Sequence, residues 1–259
     1  MLTHKSNTAA FGGLMILLLL LHFFLYQLPF VVFIVPAFIY FVLLAWGSAQ
    51  INSNYHLPVI CLAYNHPAKE IAFTFDDGPD ANITPKVLEL LRRHQITSIF
   101  FCIGNKIKDN ENLLKQIADE GHLIGNHSFS HATLFDFFGT SAIKEELEKT
   151  NDLVNKSIGQ KPQFFRPPYG VTTPNIAAAV AQLNLHTIGW NIRSLDTLNQ
   201  SPEKIAARVN SQIKPGSILL FHDTNERVLP VLEQTIDFCK KNGYKIVRPD
   251  QLLNLPAYE

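Results

Sequence analysis

Between Ala9 and about Gly47 almost every position is apolar, interrupted only weakly by His22, Gln27 and the prolines at 29 and 36. As one straight helix rising about 1.5 Å per residue, this run far exceeds a hydrocarbon core of roughly 30 Å. The pattern therefore predicts two spans, 11–26 and 30–46, turning at Gln27, Leu28 and Pro29, with Trp46 as an interfacial anchor. A cleaved signal peptide would have a shorter apolar region ending at a small-residue site. A buried helical pair would show amphipathic periodicity, which is absent. Residues 1–50 thus read as a membrane anchor and 51–67, with Asn52, Ser53, Asn54 and Pro58, as a connector.

From residue 68 to 259 the pattern changes to short β-branched runs alternating with helical periodicity. Strands are expected at 71–77, 98–103, 123–126, 163–166, 187–191, 218–222 and 245–247. Helices are expected at 85–94, 112–120, 142–157, 174–183, 202–213 and 228–242. Thr84, Thr173 and Ser201, each followed by proline, read as helix caps, and Gly121, Gly159 and Gly243 fall where helices should stop. Alternation of this kind defines an α/β protein with a parallel sheet, and about seven βα units favour a barrel over an open doubly wound sheet.

Charge divides the chain in the same place. Lys5 is the only formally charged side chain before Lys69, so 21 of the 22 basic residues and all 22 acidic ones lie beyond the connector. The balanced total does not advertise nucleic acid, and 47% apolar residues exclude disorder as the dominant state. Nothing in the sequence points to a protein partner. Lys5 alone would put the N-terminus in the cytoplasm, from which two spans would return the domain to the same side. Cys61, Cys102 and Cys239 form no CxxC pair and read as core residues.

Five strings carry candidate chemistry, and each falls where a strand should end. In FTFDDGPD, residues 73–80, a strand ends on adjacent carboxylates, Asp76 and Asp77. Adjacent strand residues face opposite sides, so the two need different roles or a turn between them. In GNHSFSH, residues 125–131, His127 and His131 lie four apart, a spacing common in zinc sites, without the glutamate of an HExxH motif. A general base must then come from elsewhere, and Asp76 or Asp77 can supply it. Two histidines with one aspartate leave a coordination position open, which is the catalytic pattern. FRPPYG at 165–170, GWNIRSLD at 189–196 and LLFHD at 219–223 complete the set. Taken singly, Arg166 could be a salt bridge, Trp190 core packing and His222 a satisfied interior histidine. Their coincidence at one barrel face favours a site.

The TFDDG, HSFSH, RPPYG and LFH strings, in this order and spacing, resemble the NodB-homology polysaccharide deacetylases, the family four carbohydrate esterases, over residues 68–259. The resemblance implies a distorted, incomplete (β/α)7-type barrel, here preceded by an N-terminal transmembrane helical hairpin. It also implies a divalent metal, zinc or alternatively cobalt, held by Asp77, His127 and His131, with Asp76 as general base. Arg166 would orient Asp76, the Tyr169 N–H would face the oxyanion, and His222 would protonate the leaving amine. Trp190 and Leu220 would line a slot for the acetyl methyl.

One position departs from the family pattern: Arg193 stands where an aspartate often tunes the catalytic histidine. Asp196 or Asp223 would then have to partner His222, and Asp196, paired with Arg193, is the expected choice. The implied activity is N-deacetylation of an N-acetylhexosamine glycan: a polysaccharide, peptidoglycan or a lipid-linked sugar. The alternatives are an O-acetyl esterase, a deformylase, or a non-catalytic glycan-binding membrane protein. Besides the glycan, the expected partner is the lipid bilayer, with the catalytic domain extracytoplasmic.

Overall fold

A computed structural model describes residues 2–259. Its strands are β1 (Glu70–Asp76), β2 (Ile99–Cys102), β3 (Leu123–Asn126), β4 (Phe164–Phe165), β5 (His186–Thr187), β6 (Ile192–Arg193), β7 (Ile218–His222) and β8 (Lys245–Ile246). Its helices are α1 (His4–Phe24), α2 (Val31–Ala49), α3 (Thr84–Arg93), α4 (Gly104–Asp109), α5 (Glu111–Asp119), α6 (Thr140–Ile158), α7 (Pro174–Gln182), α8 (Pro202–Asn210), α9 (Val228–Lys241) and α10 (Pro249–Leu253). The strands form one parallel sheet in the order β5-β4-β3-β2-β1-β7-β6, with β8 paired to the start of β1. The expected α/β class and incomplete barrel are what the chain adopts.

Side-chain parity in the central strands sets up everything that follows. Phe73, Phe75, Phe100, Ile124, Leu219 and Phe221 pack outward into the cluster that also holds Val87 and Leu91 of α3 and Leu232 and Ile236 of α9. Ala72, Ile99, Phe101, Leu123, Phe164 and Ile218 fill the opposite, inner face. With a two-residue period, Thr74 and Asp76 share the inner face with Ala72, and Leu220 and His222 share it with Ile218. Asp76 and His222 are register partners across β1 and β7. Two polar groups therefore meet at the carboxyl end of the inner face by strand alternation alone.

The sheet does not close on itself, and the connector occupies the gap. Ile60 bridges to Ile188 and Leu62 to Ser217, joining the β5 edge to the approach to β7. Ile51, Leu57, Val59 and Cys61 are buried in one cluster with Phe165 of β4 and Ile176 of α7. The stretch expected only to connect is thus part of the domain core.

Both apolar helices are long and apolar enough to cross a membrane. They pair with each other and expose large apolar side chains along their length, among them Phe23, Phe24, Phe38 and Phe41. Their open end is fixed to the domain. Asn7 Nδ2 donates to the Tyr55 hydroxyl at 2.6 Å, and the Thr172 N–H donates to the Ser48 carbonyl at 3.0 Å. Gly47 abuts the Tyr55 ring so closely that a Cβ there would lie 2.3 Å from Tyr55 Cδ1.

Several local expectations are corrected. Thr84 does not cap its helix; it is the first residue of α3, and its hydroxyl accepts from the Asp80 N–H and donates to Asp223. Thr173 and Ser201 do cap, accepting from the Ile176 and Lys204 N–H groups. The two-residue edge strand β6 has no alternation long enough to read and falls inside the site motif GWNIRSLD. The short helices α4 and α10 were likewise not visible in the hydrophobic pattern.

Gly189 shows how tightly the connector is held, because a Cβ there would lie 2.5 Å from Cys61 Sγ and 2.9 Å from Val59. Gly189→Ala is expected to destabilise the protein by about 1–3 kcal/mol through overpacking. Chemical denaturation of the full chain in detergent would measure it.

Candidate metal and catalytic site

The site assembles where β1, β3, β4 and β7 end. Asp76 closes β1 on its inner face, and Asp77 turns away with a left-handed backbone, φ 72°. That turn resolves the problem of two adjacent carboxylates, because it brings both to the same end of the sheet. His127 follows β3 directly. His131 reaches the same place through a loop in which Ser128 and His131 also take positive φ, 62° and 47°.

Asp77, His127 and His131 present one ligand atom each, all within 4.8 Å of one another. Asp77 Oδ1 stands 3.4 Å from His127 Nε2 and 3.3 Å from His131 Nε2. His127 is buried, and its Nδ1 lies 2.8 Å from the Arg166 carbonyl. A carbonyl only accepts, so Nδ1 carries the proton and Nε2 turns its lone pair into the cluster. Two imidazoles and a carboxylate so arranged fit a divalent ion with a position left open, and the donor set suits zinc.

Burial and neighbouring charges set the ionisation of this cluster. Burial opposes ionisation of Asp77, yet His127, His222 and His131 hold its carboxyl below the usual carboxylate range. Burial also disfavours charge on His127, but Asp76, Asp77 and the Arg166 carbonyl raise it above the ordinary histidine value. His131 is lowered, first by burial and then by His127. Without an ion the cluster thus draws a proton toward His127, the same place a cation would neutralise.

Asp76 is buried against Arg166, whose Nη1 donates to Oδ1 at 2.7 Å. The guanidinium has no solvent exposure. It donates further to the Thr74 hydroxyl at 2.7 Å, the Ile188 carbonyl at 2.9 Å and the Gly189 carbonyl at 2.7 Å, and it lies 4.2 Å from the Phe101 ring centroid. Asp76 Oδ2 remains 3.9 Å from His127 Nε2, facing the metal cluster.

On the other side His222 donates from Nδ1 to Asp196 Oδ1 at 2.7 Å, and its backbone N–H donates to Oδ2 at 2.8 Å. Burial alone would depress His222, but the bond and charge of Asp196, aided by Asp76 and Asp77, raise it. Asp196 does not pair with Arg193 as the sequence suggested; both its oxygens are taken by His222. Arg193 is exposed and sits 5.8 Å from the Trp190 ring centroid. Asp223, the other candidate partner, faces away, toward Thr84 and Gly78. Burial pushes its carboxyl up to about 7, with the Thr84 hydrogen bond opposing.

Tyr169, at φ 58°, stacks edge-on against His131 with ring centroids 4.7 Å apart. Gly170 lies against Trp190, where a Cβ would fall 2.6 Å from the indole ring. Leu220 is buried on the inner face of β7, in register with Thr74 of β1. The structure brings Asp76, Asp77, His127, His131, Arg166, Tyr169, Trp190, Asp196 and His222 to one end of the sheet, and Leu220 lies on the inner face of β7 beneath it. It adds supports that carried no sequence signal. Lys106 Nζ donates to the Asp77 carbonyl at 2.7 Å, and one Glu146 oxygen accepts from the Phe129 and Ser130 N–H groups and the Ser130 hydroxyl, pinning the histidine loop.

Comparison with known proteins agrees with this architecture. A family model described as polysaccharide deacetylase matches residues 63–188. A peptidoglycan-N-acetylglucosamine deacetylase of Bacillus cereus is 36% identical over 69% of this chain and 66% of its own length. The peptidoglycan-N-acetylmuramic acid deacetylase PdaA of Bacillus subtilis is 35% identical over 73% of each chain. Among solved structures, the Bc1960 peptidoglycan N-acetylglucosamine deacetylase superposes with a TM-score of 0.73 at 30% identity, covering 78% of this chain and 94% of that one. The chain belongs to the polysaccharide deacetylase family, which includes carbohydrate esterases such as PdaA. BA3943, a family pseudoenzyme from Bacillus anthracis, also superposes, with a TM-score of 0.68 at 28% identity over 73% of this chain and 66% of that one. The fold alone therefore does not carry the activity; the residues at the site must.

Asp77→Ala is expected to abolish tight zinc binding, whereas Asp76→Asn should retain it, as measured by metal content after dialysis. Because metal and proton compete for His127, zinc affinity should fall as pH drops from 7.5 to 5.5. Competition titration with a chromogenic chelator would follow it.

Proposed function

We propose that this protein is a membrane-anchored, metal-dependent hydrolase that removes acetyl groups from the nitrogen of N-acetylhexosamine residues in a glycan. The observation that supports it most is the division of labour between neighbours. Asp77 faces the two histidines, while Asp76, one residue away, is reserved by Arg166 and still reaches the same cluster.

A zinc ion held by Asp77, His127 and His131 would supply Lewis acidity, polarising the acetamide carbonyl and easing deprotonation of water. Asp76, oriented by Arg166, takes the water's proton during attack. The Tyr169 N–H faces the developing oxyanion, and Trp190 and Leu220 enclose the acetyl methyl. His222, kept protonated by Asp196, delivers a proton to the departing amine, which turns a poor leaving group into a good one. Acetate and a free amino sugar result.

The Bacillus cereus and Bacillus subtilis deacetylases named above act on peptidoglycan, which supports a glycan substrate and an extracytoplasmic domain. Because α1 and α2 return to the same end, the N-terminus of α1 would share that side.

The full chain in detergent, loaded with zinc, should release acetate from an N-acetylglucosamine tetramer. Asp76→Asn should lower kcat by about 10²–10⁴-fold. No release from N-acetylated or O-acetylated oligosaccharides would refute the hydrolase reading and favour a binding role.

The raised His222 sets the sign of the pH dependence. The acid is available below its pKa and lost above it, so activity should decline as pH rises through that value. Asp196→Asn leaves burial to lower His222, and the alkaline limb of the kcat profile should move to lower pH.

A further inference from the structure

Arg193, the departure from the family pattern, is not used by the chemistry above, and its surroundings give it a purpose. It lines a cleft of about 390 Å³ together with Arg208, Trp190, Gln50 and Asn52. Two features set this cleft apart. First, it holds two guanidiniums and no carboxylate, and neither arginine forms an ion pair among the described residues. Arg208 is held in place by bonds to the Ser194 carbonyl and Gln200 Oε1, while its Nε is buried without a hydrogen-bond partner.

Second, one wall of the cleft is the foot of the anchor. Gln50 caps the C-terminal end of α2, and Ile51 and Asn52 follow it immediately. Trp190, which belongs to the catalytic face, also lines the cleft. The anchor is fixed there by the Thr172–Ser48 bond and the packing of Gly47 on Tyr55. Tyr169 is three residues from Thr172, so at most about 11 Å of chain separates the site rim from the residue bonded to α2. If α2 crosses the bilayer, the catalytic face is held close over the membrane surface, and the cationic cleft lies between the two.

We propose that the Arg193–Arg208 cleft is a phosphate subsite that directs the enzyme toward an N-acetylated amino sugar carried on a membrane lipid through a phosphate or diphosphate. The proposal rests on the deacetylase reading and names the substrate class for that site. Guanidinium pairs suit phosphate oxygens, offering parallel N–H donors in a fixed plane. The sugar's acetamide would enter beside Trp190 while its phosphate sits at the foot of α2. The lipid tail would remain in the bilayer that the apolar helices occupy.

The test uses the zinc-loaded full chain in phospholipid nanodiscs. Acetate release is compared for polyprenyl-diphosphate-linked N-acetylglucosamine, soluble N-acetylglucosamine 1-phosphate and the soluble N-acetylglucosamine tetramer. The lipid-carried sugar should exceed the tetramer in kcat/KM by about tenfold or more, the scale of one charge-assisted contact. Arg193→Gln should raise KM for the lipid-carried sugar at least about fivefold more than for the tetramer, with Arg193→Lys restoring part of the difference. Binding gives a second readout, since the wild type should retain the polyprenyl diphosphate alone in native mass spectrometry and Arg193→Gln should retain less.

Equal rates on the tetramer and the lipid-carried sugar, or a parallel loss on both in Arg193→Gln, would overturn the proposal. N-acetylglucosamine 1-phosphate matching the lipid-carried sugar would remove its membrane component. Turnover of the tetramer alone overturns the phosphate subsite and leaves the deacetylase standing. Acetate from none of the three brings down both.

Discussion

A guanidinium sealed from water needs acceptors for its N–H groups and an anion for its charge, and Arg166 obtains both from parts of the chain far apart in sequence. Thr74 and Asp76 come from β1, and the carbonyls of Ile188 and Gly189 from just beyond β5. Its own carbonyl accepts from His127, so the same residue that fixes the proposed base also fixes the tautomer of a proposed metal ligand. Having no side chain, Gly189 also lets Val59, Cys61 and Ile51 of the connector pack against its backbone. Sheet, base, metal cluster and connector are thereby committed to one arrangement. Removing one partner of such a buried pair commonly costs about 3–5 kcal/mol, because the other charge is left without compensation.

Around this fixed point the loops are strained. Asp77, Ser128, His131, Tyr169 and Leu195 all adopt positive φ, a conformation that non-glycine residues avoid. Glycine would relieve the backbone but surrender the carboxylate, imidazole and ring that the chemistry uses. The strain is opposed by hydrogen bonds to rigid neighbours. Lys106 holds the Asp77 carbonyl, Asn126 Oδ1 accepts from the Ser128 N–H, and Glu146 gathers the loop beyond it. Preorganisation of this kind places charge and lone pairs before substrate arrives, which is where electrostatic catalysis gains most.

Much of the fold was legible because it rests on periodicity. The six long helices of the domain and the central strands fall within a few residues of where alternation placed them, and the five motifs meet because each ends a strand of one parallel sheet. What escaped the sequence depends on contacts distant along the chain. No local pattern distinguishes Lys106 or Glu146 from other charged residues on helix surfaces. Thr84 looked like a cap because threonine before proline usually is one, yet its hydroxyl serves Asp223, 139 residues away. Arg193 stands where a family aspartate often faces the catalytic histidine, yet it lies exposed beside Trp190 while Asp196 partners His222. A strand turns successive side chains to opposite faces, so a residue three from Asp196 need not share its side, and this one lies outside.

The strand-like connector that fills the gap in the sheet has a bearing on how the protein is made. Ile60 and Leu62 leave the ribosome just after the apolar helices, but their partners Ile188 and Ser217 appear only more than a hundred residues later. During synthesis the helices can enter a bilayer while the segment beside them still lacks neighbours and the β5 edge does not yet exist. Closure of the sheet is consequently a late, long-range event, slow by the usual dependence of folding rate on contact separation. The piece that completes it is continuous with α2, so the last step of folding also seats the domain on the helical pair. Assembly of the active centre and docking of the domain against the two helices then become a single act.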